Sequence, residues 1–278
     1  MSRDVTDRAA RLIELVTAPP PSRLVDYAQR LRAPVGFALS LLVLWEAACI
    51  AFSVNEFALP RPSLIFAAML ARWAELGPHV AQTTFSTIVG FALGVAIGFV
   101  LGVLIGASRI VHRMTYPSLI GFNAIPKVAF VPVLVIWFGI GTPPAVLTAM
   151  LICLFPVVVV VSTSIATVAP ELNDVLRAVG ARRIDVLMKV GVPQSMPYFF
   201  GSLKIAITLA FIGAVTSETV AANAGIGFMM MKALSNFDIL LVFAGVMSLV
   251  LLGIVFYAAS VIVESRVTGW AFRGATAP

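Results

Sequence analysis

Charge is what this chain has least of. Its 19 Lys and Arg and 13 Asp and Glu make up only 12% of 278 residues, against 60% hydrophobic. So little charge does not cover the surface of a soluble globular protein, and the composition excludes that class. Histidine and cysteine are nearly missing, with only His79, His112, Cys49 and Cys153 present. Both cysteines lie inside apolar runs and read as small hydrophobes, which excludes a disulfide framework or a metal pair. No GxxxxGK(S/T) phosphate loop occurs, so the chain does not itself hydrolyse ATP. HExxH and GxSxG are absent as well, which leaves an intramembrane hydrolase without machinery. No apolar core stands near the start, so the polar first 32 residues are expected to be retained rather than cleaved as a signal peptide.

What is present is long stretches without charge. Residues 80–108 and 239–263 each exceed the roughly 20 residues of a membrane-crossing helix. Residues 128–170 are equally free of charge and long enough for most of two crossings, broken by Gly139, Gly141, Pro143 and Pro144. The expectation is an all-α polytopic membrane protein with six transmembrane helices, near 34–54, 80–106, 117–138, 144–166, 197–217 and 239–262. Residues 64–76 are read as an amphipathic helix lying on the membrane surface. The net charge of +6 gives no reason to invoke nucleic acid, because the basic residues gather beside apolar runs. Six arginines precede residue 33, and Arg109, Arg113, Arg177, Arg182, Arg183, Lys189, Arg266 and Arg273 fall on the same side of a six-helix layout. Only Arg61, Arg72 and Lys232 fall on the other side, so both termini are expected in the cytoplasm of a bacterial cell (inner) membrane. The domains follow as a 1–32 cytoplasmic extension, a 33–270 transmembrane domain and a 271–278 cytoplasmic tail.

Two local patterns carry more information. Gly90, Gly94, Gly98, Gly102 and Gly106 recur at strict four-residue spacing. Each step of four advances a helix by about 400°, so the row drifts only about 40° per step. It forms a groove that lets a neighbouring backbone come close, a helix-packing device rather than a ligand site. The second pattern is the charged segment 170–193, PELNDVLRAVGARRIDVLMKVGVP, flanked by crossings on both sides. Its ions would be costly in hydrocarbon, so it must lie in water or in a protein groove. It reads as two short helices around Gly180, with Pro193 ending the second or opening the next crossing.

The 170–193 segment resembles the cytoplasmic EAA loop of permease subunits in binding-protein-dependent ABC importers, with Asp174-Val175-Leu176, Gly180, Val190, Val192 and Pro193 in the motif's places. It departs from the motif in Asp for Glu, larger residues for both alanines and Val for Leu. The stretch Asn123-Ala-Ile-Pro-Lys-Val-Ala-Phe-Val-Pro-Val-Leu-Val-Ile-Trp-Phe-Gly-Ile-Gly is similar to the nitrate/sulfonate/taurine branch of these permeases. Phe57-Ala-Leu-Pro-Arg-Pro-Ser, Phe155-Pro156 and Asn223-Ala-Gly-Ile-Gly extend the likeness from about residue 40 to Trp270. The resemblance implies the type I importer permease fold, and no cofactor in this chain, ATP being bound by a partner. The implied partners are two copies of an ABC ATPase subunit, a second permease copy in a homodimer, and an extracytoplasmic solute-binding protein. It places coupling to the ATPase on Asp174, Arg177, Gly180, Ala181, Arg183 and Pro193. It also implies a solute pathway that swings between outward and inward openings as the ATPase closes. The cargo it implies is a small solute such as a sulfonate, taurine, nitrate or a related compound.

Candidate pathway residues are the polar groups that sit within or beside crossings: Lys127, Thr216, Ser217, Glu218 and Asn223. Lys127 and Lys204 would also be satisfied by snorkelling, and Glu218 either lines the pathway or pairs within the bundle. Glu46, beside Trp45, is read as structural. An ATP-independent secondary transporter is the rival reading, but it would need mid-membrane coupling acids and usually two repeated halves. The acids here sit toward helix ends, and no repeat is visible. A membrane scaffold has no need for the 170–193 loop.

Overall fold

The computed structural model describes residues 23–168, 178 and 180–267. Helices α1 (Arg23–Ala51), α2 (Pro62–Ala71) and α3 (Trp73–Gly106) come first. They are followed by α4 (Arg109–Ala124), a 3-10 turn (Lys127–Phe130), α5 (Val131–Phe138) and α6 (Thr142–Ala166). The rest comprises α7 (Arg183–Val186), a π turn (Leu187–Gly191), α8 (Val192–Ala221), α9 (Ile226–Ser235) and α10 (Ile239–Val267). No strand occurs among the described residues. Among the described residues four helical segments are long and apolar enough to cross a membrane, and α4 with α5 makes a fifth if that bent pair counts as one crossing. In α1 the apolar part Val35–Ala51 is shorter.

The chain divides into two compact units, Met1–Ser63 and Leu64–Pro278. In the first, Glu46 accepts hydrogen bonds from the Ser63 amide at 3.0 Å and the Ser63 hydroxyl at 2.7 Å, the structural role expected of it. Arg61 and Glu56 form an exposed pair beside it.

The second unit is built on the glycine row. All five glycines are buried in α3, and the neighbour they meet is α6. A Cβ placed on Gly90 would lie 2.7 Å from the Val146 carbonyl oxygen, one on Gly98 3.0 Å from that of Leu154, and one on Gly106 2.9 Å from that of Ser162. Over those positions α6 offers Ala149, Cys153, Val157, Val161 and Ile165, again four apart, as its buried stripe. Residue numbers rise together along the seam, so α3 and α6 run parallel. On the other side of α6, α8 contributes Ala206, Ala210 and Ala214 to the same core. Gly213 of α8 approaches Ala149 and Gly191 approaches Ile165, so α8 runs antiparallel to α6. Lys204 pairs with Glu264 at 2.5 Å and Gly253 meets Phe211, so α10 runs antiparallel to α8.

Two parallel neighbours need one return between them, which makes α4 and α5 a single broken crossing. The crossing expected near 117–138 is thus longer and broken: helix begins at Arg109 and bends by 78° at the break. The cause is local. Pro126 pushes Ile125 into extended backbone (φ −69°, ψ 130°), which ends α4 there. The surface helix expected at 64–76 is also replaced. The chain breaks at Arg72, and Leu76 already belongs to α3, fully buried against Ile226 and Met229 of α9.

The seam makes a stability prediction. Gly90→Ala forces a methyl against backbone, which is overpacking that costs about 1–3 kcal/mol. Thermal unfolding in detergent should show that loss, whereas Gly121→Ala, with nothing near its Cβ position, should leave the midpoint unchanged or higher.

Candidate functional site

Three polar constructions stand on this frame. The first lies at the end of the second unit that carries Arg109, Arg182, Arg183 and Arg266. Gly180 adopts φ +86°, a left-handed conformation that favours glycine. After Ala181, the Asp185 carboxylate accepts the Arg182 amide at 3.2 Å and opens the single turn of α7. Ile184 and Met188 are 59% and 57% exposed, and Arg183 and Lys189 are exposed beside them. Two exposed apolar side chains framed by cations form a surface suited to a protein partner. Helix continues from α7 through the π turn into α8 without a break, and Pro193 follows directly on the π turn, where the widened helical turn accommodates its missing N–H. Of the coupling residues singled out in the sequence, Gly180, Ala181, Arg183 and Pro193 are thus placed. Asp174 and Arg177 lie outside the described residues.

The second construction is a cavity of about 500 Å³ between α4, the 3-10 turn, α6 and α8. Ile120, Ile152, Pro156, Val159, Ile205 and Leu209 give it apolar walls, and Asn123 and Lys127 are its polar members. The Lys127 ammonium donates to the Asn123 backbone carbonyl at 3.0 Å and to Asn123 Oδ1 at 3.1 Å, which caps the broken end of α4. It also lies 5.1 Å from the centre of the Phe155 ring.

The third construction is the N-terminus of α9. Its leading amides, which have no partner within the helix, are taken up by side chains of other helices. The Gly225 N–H donates to His79 Nδ1 at 3.1 Å, the Ile226 N–H to Thr83 Oγ1 at 2.8 Å and the Gly227 N–H to Glu218 Oε2 at 3.3 Å. Thr83 in turn donates its hydroxyl to Glu218 Oε2 at 2.7 Å. Glu218 is only 2% exposed, and both of these hydrogen bonds are made through Oε2 to neighbouring helices. Gly225 (φ +110°) and Gly227 are glycines because a Cβ at either would strike Glu218. Ser217 is buried beside it, Thr216 donates its hydroxyl to the Ile212 carbonyl, and Asn223 is exposed near Gly141. The candidates Lys127 and Glu218 therefore occupy separate sites. Nothing local in the sequence marks His79 and Thr83, which reach the α9 N-terminus, and in the case of Thr83 also Glu218, from more than a hundred residues away.

The other end of α9 is tied to α3 as well. Asp238 caps α10 by accepting the Leu241 amide at 3.1 Å and pairs with Arg72, which also holds Glu75 at 2.8 Å. Burial pushes the Asp238 carboxyl up. The Arg72 hydrogen bond, the Leu241 amide and the Arg72 charge outweigh it and hold the group below its ordinary value.

A helical bundle with a broken crossing, a midway cavity and an exposed basic turn leading straight into a core helix defines a membrane transport subunit. The chain belongs to the family of binding-protein-dependent transport system inner membrane components, whose profile matches residues 94–269. It is similar to the formylaminopyrimidine transport permease protein ThiX of Halalkalibacterium halodurans, at 30% identity over 85% of this chain and 95% of that one. It is likewise similar to the riboflavin transport system permease protein RibX of Chloroflexus aurantiacus, at 32% identity over 83% and 87%. SsuC of Escherichia coli, whose name assigns it to aliphatic sulfonates transport, matches at 29% over 72% and 77%. The fold is that of the inward-facing MetNI methionine ABC transporter, with a TM-score of 0.61 at 20% identity, covering 71% of this chain and 98% of that one. The chain is thus an ABC importer permease subunit, with the ATPase in a separate subunit, and nothing supports the ATP-independent alternative.

Two outcomes test the polar constructions. Glu218→Ala strands the Thr83 hydroxyl and the Gly227 amide, about 1–3 kcal/mol for each buried group, and should lower the unfolding midpoint markedly. Glu218→Gln keeps an accepting oxygen and should retain most of the stability in the same thermal scan. Because the Asp238 pKa is depressed in the fold, its contribution is fully present above the ordinary aspartate value, about pH 4, and is lost as pH falls through the lower folded value. Asp238→Asn should flatten that acid limb in a pH series of unfolding midpoints.

Proposed function

We propose that this chain forms the solute pathway of an importer in a bacterial inner membrane. In this reading Val35–Ala51 is the first of six crossings, both termini are cytoplasmic, and 170–193 is the coupling loop. A second copy of the chain completes the pathway, two ATPase subunits dock on the paired loops, and a solute-binding protein delivers cargo from outside. Lys127 faces the pathway through the cavity at the broken crossing, while Thr216, Ser217, Glu218 and Asn223 hold its outer end. The cargo is a small solute, and the relatives' names span formylaminopyrimidine, riboflavin and aliphatic sulfonates.

The observation that carries the reading is the unbroken helix from Arg183 to Ala221. Its exposed start offers a grip to a partner, and its far end is wedged beneath α9, so a push on α7 reaches the opposite end of the bundle through one rod. Two packings of such a rod against α6 give the bistable element that alternating access requires.

The test is a mild-detergent pull-down of the tagged chain from its host. Gly180→Val cannot hold φ +86° without strain, so it should cost at least about tenfold in recovered P-loop ATPase, equivalent to about 1.4 kcal/mol of docking energy. The variant chain itself should remain in the membrane at normal levels. Undiminished ATPase recovery would contradict the docking assignment.

A further inference from the structure

The Lys127 cavity states more about its occupant than the family does. A crossing broken at mid-length frees backbone carbonyls at membrane depth, which membranes tolerate only where the gap lines a cavity or is buried in protein. Here Lys127 reaches back to the Asn123 carbonyl and closes the broken end of α4. That consumes donors but not charge. Lys189, Lys204, Arg61 and Arg72 each face a carboxylate, whereas Lys127 forms no ion pair among the described residues. The walls around it are Ile152, Pro156, Val159, Ile205 and Leu209, with Asn123 the one other polar side chain. The Phe155 ring gives this ammonium a favourable face at 5.1 Å but no counter-charge, so an anion entering the cavity meets a cation without an ion pair among the described residues.

We propose that this cavity is a binding station for an organic monoanion, one anionic headgroup on an apolar body, with Lys127 contacting the headgroup and the aliphatic walls holding the body. This rests on the pathway reading above. The chemistry separates candidates that the family leaves together. A zwitterion such as taurine would bring an ammonium into a cavity with no acid to receive it. Nitrate would leave a space of about 500 Å³ and its apolar walls unfilled. An aryl- or alkylsulfonate, or the equivalent carboxylate, satisfies both. A membrane lipid with an anionic headgroup carries the same chemistry, and the experiment distinguishes the two sources.

The full chain, with Cys49 and Cys153 replaced by Ala and Val159→Cys introduced, is placed in phosphatidylcholine vesicles. Its labelling rates are measured with an anionic sulfonatoethyl and a cationic trimethylammonioethyl methanethiosulfonate, each normalised to its rate with a free thiol. The anionic reagent should be favoured about tenfold, the size of field expected from one poorly screened charge. Lys127→Arg should keep that preference. Lys127→Gln, which keeps a polar donor but not the charge, should lose it, and an unchanged unfolding midpoint of that variant shows that the loss reports charge and not a collapsed break. Benzenesulfonate should slow labelling several-fold, while benzenesulfonamide, taurine and nitrate should not. Protection by added phosphatidylglycerol alone would assign the headgroup to lipid, and protection by benzenesulfonate alone would assign it to solute. If neither reagent reaches Val159→Cys, the cavity is closed to water and the pathway reading fails. If both label it at equal normalised rates, or benzenesulfonamide protects as well as benzenesulfonate, the pathway reading stands and the monoanion proposal is overturned.

Discussion

Backbone-to-backbone approach between α3 and α6 is the constraint on which the second unit depends. Apolar side chains gain little from meeting one another in lipid, so close packing must supply the cohesion that the hydrophobic effect supplies in water. Five glycines on one helix and a stripe of Ala, Cys, Val, Val and Ile on the other bring the carbonyls of α6 almost onto the surface of α3. Because the two helices run parallel, the intervening segment must cross once and no more. That forces the pair α4–α5 into one broken crossing and places the cavity at the break. The Arg109 guanidinium, bonded to the Val168 carbonyl at 3.1 Å, fastens the ends of the same two helices together.

In the proposed coupling, α8 is the element with both a handle and a load. Its handle is the basic turn of α7, joined through a π turn, a wide helical turn that often marks functional positions. Its load is the N-terminus of α9, seated on Glu218. Helix α9 is held to α3 at one end by His79 and Thr83 and at the other by Arg72 and Asp238, while Gly227 packs directly on α8. The hydrogen bonds that Glu218 makes to Thr83 and Gly227 join α8 to α3 and α9 at the end farthest from α7.

How much of this was legible in the sequence depended on the range of the interaction. The glycine row, the charged loop, and the need for glycine at 180 were readable because each is written within one segment. Pro126 was visible too, but whether a proline kinks a crossing or breaks it depends on what its neighbours can do for the freed carbonyls. Lys127 supplies that capping from only four residues away. Lys204 read as a snorkelling side chain because its partner, Glu264, lies two helices later. The surroundings of Glu218 are hidden for the same reason: Thr83 is an ordinary threonine in an apolar run until α9 folds back over it. The start of α3 at Trp73 was hidden by composition, since Arg72 and Glu75 resemble a surface segment until Asp238 arrives to pair with Arg72.

The parallel seam is the claim on which the topology, the cavity and the rod all rest, and spin-label distances test it most directly. Pairs of labels at Leu104 and Thr167, and at Trp73 and Thr167, are compared by pulsed electron resonance, with labelled chains diluted in unlabelled ones. Parallel packing places Leu104 and Thr167 at the same end, within about two helix diameters, and separates Trp73 from Thr167 by about 45 Å or more along the axis. A short Trp73–Thr167 distance with a long Leu104–Thr167 distance would make the two helices antiparallel, and the single broken crossing would have to be abandoned.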